Sequence, residues 1–148
     1  MALFKLAAVH LEARSEPYFQ NCLTHARAAG DLHLTARTLQ ALGLSAMSQG
    51  DLTRAEPYLR ESLAIAEAQG DQRTTVQSLS ALGNLALAHG DLTAAMAAYQ
   101  NSLALARRLG ETASISGALG NLIIIAHWQA DLATGLSYLR EVYASPIA

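Results

Sequence analysis

The chain has 148 residues, 51% of them hydrophobic and 15% charged, with a formal net charge of −2. That mixture is apolar enough to bury a core and excludes a disordered tail. The charges are spread without runs, so there is no basic stripe to neutralise the phosphates of a nucleic acid or an anionic membrane, and neither is expected as a partner.

The opening residues, MALFKLAAVHLEARSE, contain a short apolar run that charged residues follow too soon for a signal peptide. The longest purely apolar run, Leu122 to Ala126, is far too short to span a bilayer. Cys22 is the only cysteine, so no internal disulfide or Cys-rich metal site can form, a pattern that fits a reducing compartment, the cytoplasm. Within residues 1–30, Arg14-Ser-Glu-Pro-Tyr-Phe matches Arg54-Ala-Glu-Pro-Tyr-Leu downstream. This first stretch reads as the second half of a unit, without a recognisable Leu-Gly helix before it.

Residues 31–70 and 71–110 align without gaps and share Leu39, Ala41, Leu42, Gly43, Gly50, Asp51, Leu52, Ala55, Leu63, Ala66 and Gly70 with their counterparts forty positions on. Residues 111–148 continue at the same spacing with Leu119, Asp131, Leu132 and Leu139. Gly30, Gly70 and Gly110 stand where a helix ends in the left-handed conformation that glycine adopts most cheaply. Asp31, Asp71 and Glu111 then start the next helix, aspartate being the better N-cap. A second stop and start falls inside each unit, at Gly50-Asp51, Gly90-Asp91 and Ala130-Asp131. Between these marks apolar residues recur at three and four, as in Leu39, Leu42, Ala46 and Leu59, Leu63, Ala66, which predicts two amphipathic helices per unit. Turns this short make consecutive helices antiparallel neighbours. Pro17 and Pro57 are placed in the second turn of their helices, with a kink toward solvent expected, and Pro146 follows the last helix.

Leu42-Gly43, Gly50-Asp51-Leu52, Ala55, Leu59 and Ala66, repeated as Leu82-Gly83, Gly90-Asp91-Leu92, Ala95, Tyr99 and Ala106, resemble a tetratricopeptide repeat. The period of forty, against thirty-four in the commonest form, looks like the extended subtype of kinesin light chains, polarity adaptors and bacterial regulators. HEAT repeats have a similar period but lack the Leu-Gly to Ala spacing. The resemblance implies an all-α fold, a right-handed α-solenoid of antiparallel helix pairs, in one domain: a partial repeat at 1–30, repeats at 31–70 and 71–110, and a divergent C-terminal repeat at 111–148. The first unit lacks its leading helix and the last ends without a polar capping helix, so a segment of a larger protein is expected.

Helix contact explains the small pair: Gly43 is expected to face Ala55, and Gly83 to face Ala95, letting the backbones approach closely. The third unit departs, with Ile123 at the glycine position and Gly135 at the alanine position. A volume swap within one contact accounts for this, and a three-residue slip that aligns Leu119-Gly120-Asn121 with Leu82-Gly83-Asn84 is the competing reading.

No catalytic constellation emerges. His10, His25, His33, His89 and His127 are not paired at helical spacing with each other or with a carboxylate, the glycines are periodic caps rather than a phosphate loop, and Cys22 takes a small-residue position shared with Ser62 and Ser102. The expectation is no catalytic residue, no cofactor and no metal, with Asp51, Asp91 and Asp131 capping helices.

In the family, the first helix of each pair lines the concave surface. Carried across, that surface comprises Arg37, Gln40, Leu44, Met47 and Ser48, then Gln77, Ser80, Asn84, Leu87 and Ala88, then Gly117, Gly120, Ile124, His127 and Trp128. A surface with one arginine and apolar residues toward the helix ends suits an extended or helical peptide or protein segment, with Gln77 and Asn84 offering amide hydrogen bonds. The Lys/Asn/Arg clamp that chaperone-binding members use is absent apart from Asn84. The alternative is that a neighbouring helix or second subunit buries Ile124 and Trp128, as in a homodimer through the C-terminal repeat that hides Trp128, Tyr138 and Tyr143. Gly117 and Gly120 weaken the start of their helix by about 1 kcal/mol each relative to alanine, reflecting either close approach of a partner or a frayed helix.

Overall fold

Seven α-helices occupy the described residues of the computed structural model, 2–144, with side chains described from Arg14 onward. They are α1 (Ala2–Ala29), α2 (Leu32–Ser48), α3 (Leu52–Gln69), α4 (Gln72–Ala88), α5 (Leu92–Leu109), α6 (Thr112–Trp128) and α7 (Leu132–Ala144). The Lys5 and His10 side chains, and residues 145–148 with Pro146, lie outside the described set.

The boundaries follow from local chemistry. Asp31, Asp51, Asp71, Asp91 and Asp131 each accept a hydrogen bond at Oδ1 from the backbone N–H three residues on, at 2.9–3.1 Å. This satisfies an amide that the helix itself leaves without a partner. Glu111 caps no backbone amide; one carboxylate oxygen accepts from the Ser114 hydroxyl and the other from Arg73 Nε. Burial pushes the Asp71 carboxyl up, but hydrogen bonds from the Thr74 hydroxyl and N–H and the nearby His33 outweigh it, and the net shift is downward. Before each aspartate the chain turns through positive φ, at Gly50 (79°) and Gly90 (77°), and in the last unit at Ala130 (56°), the one non-glycine residue described there.

Each helix packs against the next, and α2 approaches α4 as α4 approaches α6, whereas the backbones of α1, α3, α5 and α7 stay apart. The first helices of the pairs therefore form the inner side of a curved all-α solenoid. Its core is a stack of Leu39, Leu42, Leu59, Tyr99, Leu119, Leu122 and Ile125, each almost completely buried, spaced by Ala55, Ala66, Ala95 and Ala106, which are fully buried. Serines stitch the pairs together. Ser62 donates to the Ala36 carbonyl at 2.7 Å and lies 3.1 Å from Ser78, while Ser102 donates to the Val76 carbonyl at 3.2 Å and lies 2.8 Å from Ser80. Cys22, at the equivalent place, sits with Sγ 3.4 Å from Thr38 Oγ1. Among the described residues no buried side-chain N or O lacks a partner, as a stable helical interior requires.

Two expectations are corrected and one competing reading is excluded. A Cβ on Gly43 would lie 2.6 Å from Leu59, and one on Gly83 would lie 2.7 Å from the Tyr99 ring, while the nearest Ala55 atom to the former is its carbonyl oxygen at 3.5 Å. The glycine thus makes room for the large side chain one turn beyond the alanine. The three-residue slip is excluded, because α6 repeats the bounds of α4 forty residues on, and its buried Ala118, Leu119, Leu122, Ile125 and Ala126 stand where α2 buries Thr38, Leu39, Leu42, Ser45 and Ala46. Pro17 lies in the middle of α1, which continues back to Ala2, rather than in a second turn. Pro57 is in the second turn of α3, and both prolines are exposed.

Candidate functional site

A groove of about 700 Å³ runs along the inner side between α2 and α4. It gathers Arg37, Gln40 and Leu44 from α2 with Gln77, Ser80 and Asn84 from α4, and its floor and walls add Phe19, Cys22, Leu34, Thr38, Ala41, Val76, Ala81 and Ser114. The sequence reading missed that second set. Phe19 and Cys22 come from α1, which the first-helix rule leaves out, and Leu34, one turn before Thr38, is 37% exposed at the groove edge.

The polar groups are held by the fold. Tyr99 is buried and its phenol pKa is pushed up to about 12 by that burial. As a neutral donor it hydrogen-bonds Asn84 Oδ1. Asn84 therefore keeps its two amide N–H donors for another acceptor. Ser102 spends its proton on Val76, so Ser80 is the donor in their contact and has only acceptor capacity left. Gln40 is half-buried and Gln77 is exposed. Arg37 is exposed, and among the described residues no carboxylate lies within ion-pair distance of it. No lining residue is acidic. The groove therefore carries one uncompensated positive charge, surplus amide donors and apolar walls.

The remaining expected positions lie elsewhere. Met47 is half-buried against the Ala46, Ala55 and Leu85 cluster, and Leu87 against the cluster around Tyr99 and Leu103. Ser48 and Ala88 are exposed at the ends of α2 and α4. Ile124 (44%), His127 and Trp128 (59%) are exposed on α6, beyond the groove, so among the described residues no helix buries Ile124 or Trp128. Gly117 and Gly120 lie inside a continuous α6, with nothing within 4 Å of an added Cβ at either one. Tyr138, expected to be covered by a second subunit, is half-buried against α6 of its own chain and accepts a hydrogen bond from Gln100 at 3.3 Å. On α7 no residue is fully buried, and Leu132, Leu136 and Tyr143 are 72%, 52% and 85% exposed.

A cross-helix ladder that spacing did not reveal runs along the starts of the first helices. His33 Nδ1 lies 2.8 Å from Asp71, and Arg73 Nε lies 2.8 Å from Glu111, the same pair of positions in successive units. Among the described residues no three His, Cys, Asp or Glu side chains are grouped to hold a metal, and no helix is long and apolar enough to cross a membrane.

The tetratricopeptide repeat family matches the sequence over residues 1–68 and again over residues 41–108. No curated protein matches it. Among solved structures it is similar to the crystal structure of BtubC (BKLC) from P. vanneervenii, with a TM-score of 0.79 at 18% identity, covering 89% of this chain and 55% of that one. The chain thus spans a little over half the length of that structure, and at this identity the likeness is one of fold. The two family matches cover both regular helix pairs and overlap by most of one unit, in step with the forty-residue repeat of helix bounds, and the chain belongs to the tetratricopeptide repeat family.

Proposed function

We propose that the chain is a protein-interaction module whose inner groove between α2 and α4 holds a peptide segment of a partner protein. The observation that carries this reading is the groove's composition: apolar walls, the surplus donors of Gln40, Gln77 and Asn84, and Arg37 as its one charge. An extended or helical segment with an acidic residue beside apolar ones satisfies all three features, because burial supplies affinity and the charge–amide set supplies register. The test is selection of binders from a random peptide display library. Enrichment of acidic residues with apolar neighbours, and a loss of at least tenfold in affinity on Arg37→Glu, is the expected result. Binders indifferent to Arg37→Glu and to Asn84→Ala would sink the groove assignment. Trp128 lies outside this groove, so its fluorescence should stay constant during such a titration.

A second reading is self-association through the C-terminal repeat, favoured by the exposed Leu132, Leu136 and Tyr143 of α7 with Trp128 of α6. Sedimentation that finds only monomer at micromolar concentration removes it. The forty-residue period is the support for placing such a module in a bacterial signalling or transcriptional regulator, and the coding sequence on either side of this segment tests that placement.

A further inference from the structure

The outer helices α1, α3, α5 and α7 meet at three junctions, and two of them are closed by a tyrosine. Between α1 and α3, Tyr58 packs against Leu23, Leu39 and Leu42 while Gln20 Nε2 donates to its hydroxyl at 2.8 Å. Between α5 and α7, eighty residues on, Tyr138 packs against the cluster containing Leu119 and Leu122 and accepts from Gln100. Flanking ion pairs repeat as well, Arg27 with Glu61 and Arg107 with Glu141.

The middle junction, between α3 and α5, breaks the series. Ala98 stands at the tyrosine position and Arg60 at the glutamine position. A cavity of about 460 Å³ opens there, with Leu79 and Leu82 of α4 at its base and Glu56, Arg60, Ala98 and Asn101 around it. The leucines record the missing ring. Leu39, Leu42, Leu119 and Leu122 are at most 1% exposed, whereas Leu79 and Leu82, their counterparts, are only half-buried.

We propose that this outer cavity is a docking slot for a tyrosine side chain presented by a partner protein. The occupant is defined by the two filled junctions, which show what covers this pair of leucines: an aromatic ring whose hydroxyl meets a side-chain N–H donor. Arg60 supplies that donor here. Glu56 pairs with it at 2.8 Å and neutralises it; Asp91 and His89 also line the cavity, and the excess of carboxylates over guanidinium favours a neutral phenol over a phosphorylated one. Tyrosine suits such a place because its ring buries a large apolar area with few torsions to freeze, while its hydroxyl fixes the depth.

The test uses 4-methylphenol, the tyrosine side chain itself, titrated into the intact chain and followed by leucine methyl NMR. Saturable shifts at Leu79 and Leu82 are expected, with 4-methylphenyl phosphate at least tenfold weaker. Ala98→Tyr should fill the slot from within, raising Tm by a few degrees and weakening 4-methylphenol at least tenfold. Absence of saturable shifts at those leucines, or unchanged probe binding in Ala98→Tyr, overturns the proposal. Should Ala98→Tyr not fold, Tyr58→Ala serves instead: it should add a second probe site, read at Leu39 and Leu42, and failure to do so counts equally against the slot. A wild-type dimer that Ala98→Tyr converts to monomer would assign the slot to a second copy of this chain and overturn its assignment to another protein.

Discussion

The helix pairs α4–α5 and α6–α7 share their helix starts and register, yet they are capped and closed differently. In α4–α5, Gly83 is bare so that the Tyr99 ring can lie on it, and the ring is fully buried and reaches Asn84 in the groove. In α6–α7, Ile123 fills the glycine position, and Leu139, at the place of Tyr99, is 36% exposed. The difference teaches that the repeat specifies where helices run through its caps, and how tightly they close through one glycine opposite one large residue. It also separates two kinds of helical glycine: Gly83 is required by a neighbour, and Gly117 and Gly120 face open space.

The sharpest way to break this comparison is to substitute glycine in both helices. Gly83→Leu would drive a side chain into the Tyr99 ring and should cost about 1–3 kcal/mol by overpacking, read as a lowered urea midpoint and an altered Tyr99 environment. Gly120→Ala should act with the opposite sign. A Cβ there meets nothing within 4 Å, so the variant should gain about 1 kcal/mol from helix propensity; a loss would mean that this position is already occupied. The smallest effect is expected at the turn between α6 and α7. Ala130→Gly removes a non-glycine residue from φ 56° and should raise stability by up to about 1 kcal/mol. The same glycine-for-alanine exchange at Ala126, which is buried in the middle of α6, should lower it.

Much of the fold was legible because its signals are local. An aspartate that captures the amide three residues on, preceded by a residue at positive φ, marks a helix start whatever surrounds it, and the forty-residue period followed from the residues that recur between those marks, such as Leu42-Gly43 and Leu82-Gly83. The inner groove was legible in part. Six of the expected residues, from Arg37 to Asn84, line one cavity, because they sit in the middle turns of two adjacent helices. Met47, Leu87, Ile124, His127 and Trp128 do not, since the helix ends turn toward the second helices or stand clear of the neighbouring unit. The His33–Asp71 and Arg73–Glu111 pairs were invisible to a search at helical spacing, being thirty-eight residues apart and joined only when successive first helices lie side by side.

The sequence by itself determined the number of helices after residue 31, their ends, and their antiparallel order, for these depend on capping chemistry and apolar periodicity within a few residues. Only the tertiary structure decided which large side chain each glycine admits, and that α1 runs unbroken through Pro17. It alone showed that Ala98 leaves an open slot where Tyr58 and Tyr138 stand. The physical reason is that an alanine is an ordinary helix residue on its own. Its meaning appears only when packing brings Leu79 and Leu82 beneath it and leaves them half-buried, with no described aromatic ring over them.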